Sequence, residues 1–486
     1  MTIKDWLEGL SYKLVQGSLD VEVNEVVYDS RKAAPGAVFV CMKGTKIDSH
    51  DFIPQVTEAG VKVLVTEHPV EAPAGVTVVE TENGREALAL LSAARFGYPS
   101  RKLTMIGVTG TKGKTTTTHM IKTILETAGK KTGMIGTNGV YIGEEHFPTV
   151  NTTPESYDLH RYFAKMVEAG CECCVMEVSS HSLVLRRVAG VHFAVGLFTN
   201  LTQDHLDFHN TMEEYAKAKA MLFPMCEKTA ANADDPWTET VMKDAPQPVY
   251  TFSAKSDSAS LTARDIRLAP SGVRFCALEE GELVRVKTNL PGQFSVYNAL
   301  AAISCARLLG VSLADAAAAL ETAHGAKGRV EPVPTDGDYS IFIDYAVTPD
   351  AIENVLTTLR GIAPKRLVML FGAGGDRDRK KRPIMGKLSA DIADFVIVTS
   401  DNPRTEDPMS IIEEILPGVR AGKAPYKVIC DRPEAIRWAI DHHEPGDVIL
   451  LCGKGHEDYQ IIGHEKIHMD EREIVADYLA ERAKRT

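Results

Sequence analysis

The stretch that most constrains this chain is Gly107-Val-Thr-Gly-Thr-Lys-Gly-Lys-Thr-Thr-Thr117, which overlaps the end of the apolar run 103–108 and opens the helix-patterned run 115–128. A glycine-rich turn between a buried strand and a helix aims backbone N–H groups and the positive end of the helix dipole at one point, which cradles phosphate. Lys114 is spaced to reach the β- and γ-phosphates of a nucleotide, and Thr115 to ligate Mg²⁺. The strict phosphate-loop pattern has glycine where this chain has Val108, so a literal pattern search misses the loop.

Strand-like and helix-like runs alternate around it. Apolar runs at 103–108, 132–136, 173–178 and 191–199, with helix patterns such as 115–128 and 157–169 among them, predict a mostly parallel sheet covered on both faces. A second alternating series has strands at 340–346, 366–372, 395–399, 426–430 and 447–452 and helices at 348–360, 409–416 and 433–442. Short β-rich runs at 21–28, 37–42, 61–66 and 76–80 and a helix at 84–96 precede both series, ending in the polar breaker Gly97-Tyr-Pro-Ser-Arg-Lys102. The Ala-rich stretch 313–320 reads as helix, and no internal repeat is apparent. A chain of 486 residues exceeds one ordinary core. The expectation is therefore three α/β domains: a small one over 1–100, a central phosphate-loop ATPase-like sheet over 101–328, and a Rossmann-like domain over 329–486.

Composition removes several classes of function. At 44% apolar and 25% charged residues the chain is globular, and a formal charge of −12 excludes a nucleic-acid-coating surface. An anionic substrate must then be held by local groups. The first ten residues already carry Lys4, Asp5 and Glu8, unlike a secretory signal, and no apolar run reaches the roughly 20 residues that span a bilayer, so a cytoplasmic location without membrane insertion is expected. The nine cysteines sit mainly in apolar segments and read as reduced thiols. Cys171, Cys173 and Cys174 contain one C-x-x-C, but no second pair follows at zinc-ribbon spacing, so packing is the expected role.

Gly110-Thr-Lys-Gly-Lys-Thr-Thr116 resembles the shortened phosphate loop of the muramyl ligases and folylpolyglutamate synthetases. Colinear matches to the muramyl ligase family follow at Asn151-Thr-Thr-Pro154, Glu177-Val-Ser-Ser-His181, Thr199-Asn-Leu-Thr-Gln-Asp-His-Leu-Asp207, Ala218-Lys-Ala-Met-Leu-Phe223 and Asn289-Leu-Pro-Gly-Gln-Phe-Ser-Val-Tyr-Asn298. They continue through Asp344-Tyr-Ala-Val-Thr-Pro-Asp350, Phe371-Gly-Ala-Gly-Gly-Asp-Arg-Asp378, Asp401-Asn-Pro-Arg404 and Gly453-Lys-Gly-His-Glu457, so the resemblance covers essentially the whole chain. It is similar in particular to the diaminopimelate-adding members.

The resemblance implies an ATP-dependent amide-bond ligase that activates a carboxylate as an acyl phosphate. Its substrates would be UDP-N-acetylmuramoyl-L-alanyl-D-glutamate and meso-diaminopimelate, in peptidoglycan synthesis, with the enzyme acting as a monomer. ATP would be held by Gly110, Thr111, Lys112, Gly113, Lys114, Thr115 and Thr116, with Asn298 and Arg329 on the adenine and phosphate sides. Mg²⁺ would be held by Thr115, Glu177, His205 and Lys219, the lysine as a carbamate, because an ammonium repels a metal and a carbamate offers it oxygen. Lys114, Glu177, His205 and Lys219 thus form the implied catalytic set.

The same resemblance places the UDP edge at Asp29-Ser30-Arg31 with the loop 45–47, and contacts to the muramyl peptide at Asn151, Thr152, Thr153, Ser179 and Arg187. The amine substrate would meet Arg377, Asp401, Asn402, Pro403, Arg404, Gly453 and Glu457, with Arg404 on the carboxylate that lysine lacks and Glu457 on the distal ammonium. Catalysis would lie between domains that close on their ligands. Two departures stand out: Val347 where the family usually has His, which removes a polar contact near the phosphates, and Ala373 where Cys is frequent. Alternatives are L-lysine as the amine, a same-fold ligase for another carboxylate, a phosphate-loop ATPase driving motion, and a silent binding paralogue.

Overall fold

The computed structural model describes residues 1–44, 47–323, 325–363 and 365–485, without the side chains of Asp207 and Arg485. Thr45 and Lys46 of the expected UDP loop lie outside the described residues. The chain forms two compact units, 1–262 with 301–316 and 263–300 with 317–486. Both are α/β.

In the first unit, β1 (Lys13–Gln16), β2 (Glu25–Val27), β3 (Ala37–Val40), β4 (Val63–Thr66) and β5 (Thr77–Glu80) form a sheet of order β1-β5-β4-β3-β2, parallel except for β1. The helix Gly84–Arg95 starts on Asn83, whose Oδ1 accepts from the amides of Arg85 and Glu86. Such a cap supplies partners for amides that have none within the helix. The run 21–28 shortens to β2 alone, since Val23 and Asn24 bond instead to Met1 and Gly36. Strand β1 escaped the sequence reading because it is largely exposed and shows no apolar alternation.

Beyond it, β6 (Thr104–Thr109), β7 (Thr132–Gly136), β8 (Gly139–Ile142), β9 (Glu145–Phe147), β10 (Cys173–Glu177), β11 (Phe193–Phe198), β12 (Cys226–Asn232) and β13 (Tyr250–Ser253) assemble in the order β13-β12-β11-β6-β10-β7-β8-β9. The members from β13 to β7 run parallel. Val108 of β6 lies level with Glu177 on one side and Leu197 on the other, so the loops leaving all three strands begin at one height. In an open parallel sheet this carboxyl end is where ligands bind. Cys171, Cys173 and Cys174 are free and buried, their thiols raised above the ordinary range chiefly by burial, in keeping with packing.

The same unit carries a pH dependence. His160, in the helix Ser156–Glu168, is fully buried, and neither ring nitrogen has a hydrogen-bond partner among the described residues. Burial lowers its pKa from 6.5 to about 4, and burial acts first in the same direction on His119 and His209, each also at about 4. The native state thus keeps these rings neutral where the unfolded chain protonates them. Their contribution is complete above the unfolded pKa and is lost as pH falls from about 6.5 towards 4. Near pH 5 the expected loss is about 2 kcal/mol for His160. Thermal melts at pH 7 and 5 should show this drop, and His160→Leu should flatten part of the slope.

The second unit includes the antiparallel hairpin of β15 (Gly272–Glu279) and β16 (Glu282–Thr288), while β14 (Leu261–Ala269) straddles the border. Its main sheet holds β17 (Glu331–Val333), β18 (Ser340–Asp344), β19 (Leu367–Phe371), β20 (Phe395–Val398), β21 (Tyr426–Val428) and β22 (Val448–Cys452) in the order β17-β18-β22-β19-β20-β21, parallel apart from β17. The last hairpin is β23 (Tyr459–Ile462) with β24 (Glu465–His468).

Two helices here differ from the sequence expectation. Lys381–Ile392 went unread because Pro383 and Gly386 discourage helix, yet Pro383 occupies the first turn, where its amide would have no partner. Pro408–Ala421 continues through Pro417 rather than stopping at 416. A Cβ at Gly418 would collide with the Pro383 carbonyl, and one at Gly386 would meet the Ile415 carbonyl at 2.5 Å. The two glycines let the helices touch backbone to backbone, and that packing outweighs the local cost of the proline.

Candidate active site

The phosphate loop departs from β6 and is fixed from the side by residues that follow β11. Thr199 Oγ1 donates to the Lys112 carbonyl (2.8 Å), Asn200 Oδ1 accepts from the Lys112 amide (2.9 Å), and the Asn200 carbonyl accepts from the Thr111 amide (2.8 Å). Gly110 has φ +148, and a Cβ there would collide with Thr199 Oγ1; Gly113 has φ +84 and opens the helix Lys114–Thr127. Gly110→Ala should therefore displace the clamp and raise the KM for ATP by about tenfold or more, which ATP titration of phosphate release would measure.

Two lysine side chains converge on one carbonyl. Lys114 Nζ donates to Gly110 O (2.9 Å) and Thr111 O (3.0 Å), and Lys219 Nζ donates to the same Gly110 O at 2.8 Å. Lys219, in the helix Met212–Ala220, is 1% exposed and faces the Tyr215 ring at 4.4 Å. Burial, then the nearby Lys114 charge, holds its pKa well below 10.5, with Asp204 opposing. Only an unprotonated amine can add carbon dioxide, so the surroundings favour the form that becomes a carbamate.

Aromatic contacts extend from Tyr215 to His209 (4.8 Å) and His205 (6.2 Å), and His181 lies 5.0 Å from His205. His205 sits at φ +53 before the short helix Leu206–His209, half-exposed. Glu177, buried at the end of β10, accepts from the Thr137 amide (2.8 Å) and hydroxyl (3.2 Å) after β7. Thr115 is in the first turn of the loop's helix. If Lys219 were carbamylated, the set Thr115, Glu177, His205 and Lys219 would offer hydroxyl, carboxylate and carbamate oxygens with one imidazole, donors that suit a hard cation such as Mg²⁺.

A further polar group surrounds Thr153. Its hydroxyl donates to the Glu177 carbonyl (2.8 Å), and the Ser179 amide donates to that hydroxyl (3.1 Å). Arg187 Nη1 donates to the Thr153 carbonyl (3.1 Å) and Nε lies 3.3 Å from Glu155. Thr152 Oγ1 is 3.1 Å from Thr137 Oγ1, and Asn151 is exposed beside it. Ser30 opens the 3-10 turn Ser30–Lys32, capped by Asp29. Arg31 forks onto Asp29 at 2.7 and 2.8 Å, holding that carboxyl down at about 2.

In the second unit, the loops after β18, β19, β20 and β22 leave one edge of the sheet, with Asp344 and Phe371 both level with Cys452, and Phe371 level with Val398. They carry Arg377, Asp401, Asn402, Pro403, Arg404, Gly453 and Glu457. A Cβ at Gly375 would collide with the Pro403 carbonyl, so the glycine pair after Ala373 lets the two loops meet. Arg404, at φ +52, donates from Nη1 to Gly375 O (2.8 Å), and its amide donates to Ile461 O (3.0 Å). Arg377 Nη1 donates to the Asp376 carbonyl at 3.1 Å. Gly453 has φ +117, with Asp401 Oδ2 only 2.5 Å from where a Cβ would stand. Asn402 Nδ2 donates to Glu457 Oε2 (2.9 Å).

Asn298 is buried in the helix Gln293–Leu308, and the Arg329 guanidinium lies 5.7 Å from the Tyr345 ring. Val347 is half-buried, and its carbonyl accepts from Lys381 Nζ (2.9 Å), so the backbone contact there does not depend on the missing imidazole.

The profile described as Mur ligase middle domain matches residues 108–306, the Mur ligase glutamate ligase domain matches 328–455, and the Mur ligase family catalytic domain matches 22–96. The chain belongs to the Mur ligase family. The chain is 45% identical over 485 residues, 100% of both chains, to a protein of Caldanaerobacter subterraneus named UDP-N-acetylmuramoyl-L-alanyl-D-glutamate--2,6-diaminopimelate ligase. It is 44% identical, over 99% of both chains, to a Clostridium perfringens protein of the same name. A solved structure of a ligase of that name has a TM-score of 0.77 at 29% identity, covering 99% of each chain. A MurF ligase of Thermotoga maritima solved with ADP shares the fold at 20% identity and a TM-score of 0.59, over 96% of this chain and 99% of that one.

Within this Mur ligase, sequence reasoning missed three residues. Tyr215 links Thr111, Lys219 and the histidines, but a lone Tyr in a helix gives no signal. Asp344 accepts from the Val330 amide (2.9 Å), holding a β-branched residue at φ +45; burial, opposed by Arg329, raises its carboxyl to about 6. Lys454 belongs to the run Gly453-Lys-Gly-His-Glu457, yet nothing in the sequence says that it is buried.

Proposed function

We propose that the chain is an ATP-dependent ligase that joins meso-2,6-diaminopimelate to the D-glutamate carboxylate of UDP-N-acetylmuramoyl-L-alanyl-D-glutamate in peptidoglycan synthesis, working as a cytoplasmic monomer. The observation that carries this reading is the presence of Arg404 and Glu457, opposite charges suited to an amino-acid head, on loops that leave one sheet edge. It occurs in a chain similar along its whole length to ligases named for that reaction. No helix among the described residues is long and apolar enough to cross a membrane.

The substrate carboxylate attacks the γ-phosphorus of ATP and ADP leaves, giving an acyl phosphate. The neutral amine then attacks the acyl carbon, phosphate departs with its bonding pair, and the nitrogen loses a proton. The loop from Gly110 to Thr116 orients the phosphates, with Lys114 offsetting charge as ADP forms. Thr115, Glu177, His205 and carbamylated Lys219 would hold Mg²⁺, which supplies charge neutralisation at the phosphates when bound. Asn298 and Arg329 serve the adenine and phosphate sides; Ser30, Asn151, Thr152, Thr153, Ser179 and Arg187 serve the UDP-muramyl dipeptide. Arg377, Asp401, Asn402, Pro403, Arg404, Gly453 and Glu457 serve the amine. The domain limits are 1–100, 101–328 and 329–486, supported by family matches over 22–96, 108–306 and 328–455, each of which lies inside one of these ranges except for residue 328.

The test is ATP-dependent phosphate release with the UDP-muramyl dipeptide and meso-diaminopimelate, L-lysine or no amine, with the product mass measured. Turnover with meso-diaminopimelate well above that with L-lysine, and none without amine, is expected. Turnover without amine, or silence with every amine, would overturn the reading.

A further inference from the structure

Lys454 follows β22 and is completely buried, while the Glu457 side chain in front of it is 11% exposed. Its Nζ donates to Asn402 Oδ1 and to Glu457 Oε2, both at 2.8 Å, and lies 5.2 Å from the Tyr459 ring. Asn402 Oδ1 also accepts from the Ile461 amide at 2.9 Å. Two donors on one amide atom identify it as the oxygen, so the amide NH₂ must face Glu457, to which it donates at 2.9 Å. Glu457 Oε2 thereby takes two donors, while Oε1 faces the Tyr345 hydroxyl at a long 3.5 Å, and the Tyr459 hydroxyl also bonds the carboxylate.

We infer that Lys454 is a positioning residue for amine selection: it sets the Asn402 amide and occupies one oxygen of Glu457, leaving the other to receive a single ammonium of the incoming amino acid. The inference rests on the reading that Asn402, Arg404 and Glu457 receive the amine. Burial puts Lys454 beyond reach of the substrate, so it acts through these neighbours. The second acid of the cluster, Asp401, is also buried, and its Oδ2 has no hydrogen-bond partner among the described residues. Without Lys454 the Glu457 carboxylate would lose its cation, Asn402 would lose one of the two donors that fix its orientation, and Glu457 would turn both oxygens to the ligand. A site loosened in this way binds meso-diaminopimelate less well and distinguishes it less from L-lysine.

The test uses the full chain with Lys454→Met, which keeps the length and removes the charge, Lys454→Gln, which keeps a donor, and Glu457→Gln as a check on the underlying reading. Steady-state kinetics with each substrate varied, and thermal melts, are the readouts. For Lys454→Met the KM for meso-diaminopimelate should rise about tenfold or more, while the KM values for ATP and the UDP-muramyl dipeptide stay within about twofold. Lys454→Gln should fall between it and the unaltered chain, and the preference over L-lysine should shrink in the same order. An unchanged amine KM in Lys454→Met, or a parallel loss of kcat with no split among the KM values, overturns the inference. So does absence of the normal melting transition in both variants, which would assign Lys454 to the fold alone. If Glu457→Gln also leaves the amine KM unchanged, the reading of the site falls with it; if Glu457→Gln raises that KM and Lys454→Met does not, only the inference falls.

Discussion

Lys219→Met is expected to lower kcat by about 10²–10³-fold, the usual cost of removing one preorganised charge-stabilising group, while leaving the protein folded. The reason for the split lies in the surroundings of the amine. Burial and the Lys114 charge disfavour the ammonium form of Lys219, so replacement by an apolar thioether suits the buried site. The Gly110 carbonyl that loses Lys219 keeps its bond from Lys114 at 2.9 Å, so no buried acceptor is orphaned. Melting temperature should be unchanged or higher. Lys219→Arg should be as inactive as the methionine variant, because it restores a cation where an anionic oxygen donor is needed. Native mass spectrometry of active protein should find the mass of one added carbon dioxide at Lys219, and depletion of bicarbonate should lower activity reversibly. Active enzyme with an unmodified Lys219, or a methionine variant with near-normal kcat, would remove the carbamate from the mechanism.

Arg404→Ala should raise the KM for meso-diaminopimelate by roughly 30- to 150-fold, corresponding to about 2–3 kcal/mol for a charge-assisted pair, and should leave L-lysine turnover nearly unaffected. The main chain at Arg404 is tied to β23 and the turn that follows it by two hydrogen bonds, Arg404 N to Ile461 O at 3.0 Å and Gly463 N to Arg404 O at 2.8 Å. These do not involve the side chain, so the loop should hold its path when the guanidinium is removed. Of the side chain's donors, Nη1 already serves Gly375 O at 2.8 Å, which orients the group and leaves the other nitrogen edge for a carboxylate. Competition assays with both amines would measure the collapse of preference. An unchanged ratio would separate Arg404 from amine choice.

The order of strands and helices was legible because buried parallel strands are continuous apolar runs and their helices keep a 3.6-residue period. The runs at 103–108, 173–178 and 447–452 became β6, β10 and β22 within a residue or two. The phosphate loop was legible because glycine, lysine and threonine at fixed spacing perform one task wherever a strand meets a helix. Hairpin β15–β16 and strand β1 were not read, since they are partly exposed and their stability comes from neighbours that the local sequence does not name. The helix Lys381–Ile392 was missed for the opposite reason: local propensity argues against it, and close packing at Gly386 and Gly418 overrides that.

By itself, then, the sequence determined the α/β class, the phosphate loop and, through its chain of matched motifs, the family. Those properties reside in local spacing and in the identity of a few side chains. Tertiary structure alone decided that Lys219 is buried against the Gly110 carbonyl beside Lys114, that Asp344 holds Val330 at positive φ, and that Lys454 lies beneath Asn402 and Glu457. Desolvation, a neighbouring charge and the orientation of an amide depend on what the rest of the fold brings within a few ångströms. Residues 109 apart, as Gly110 and Lys219 are, acquire that relation only when the strands between them have paired.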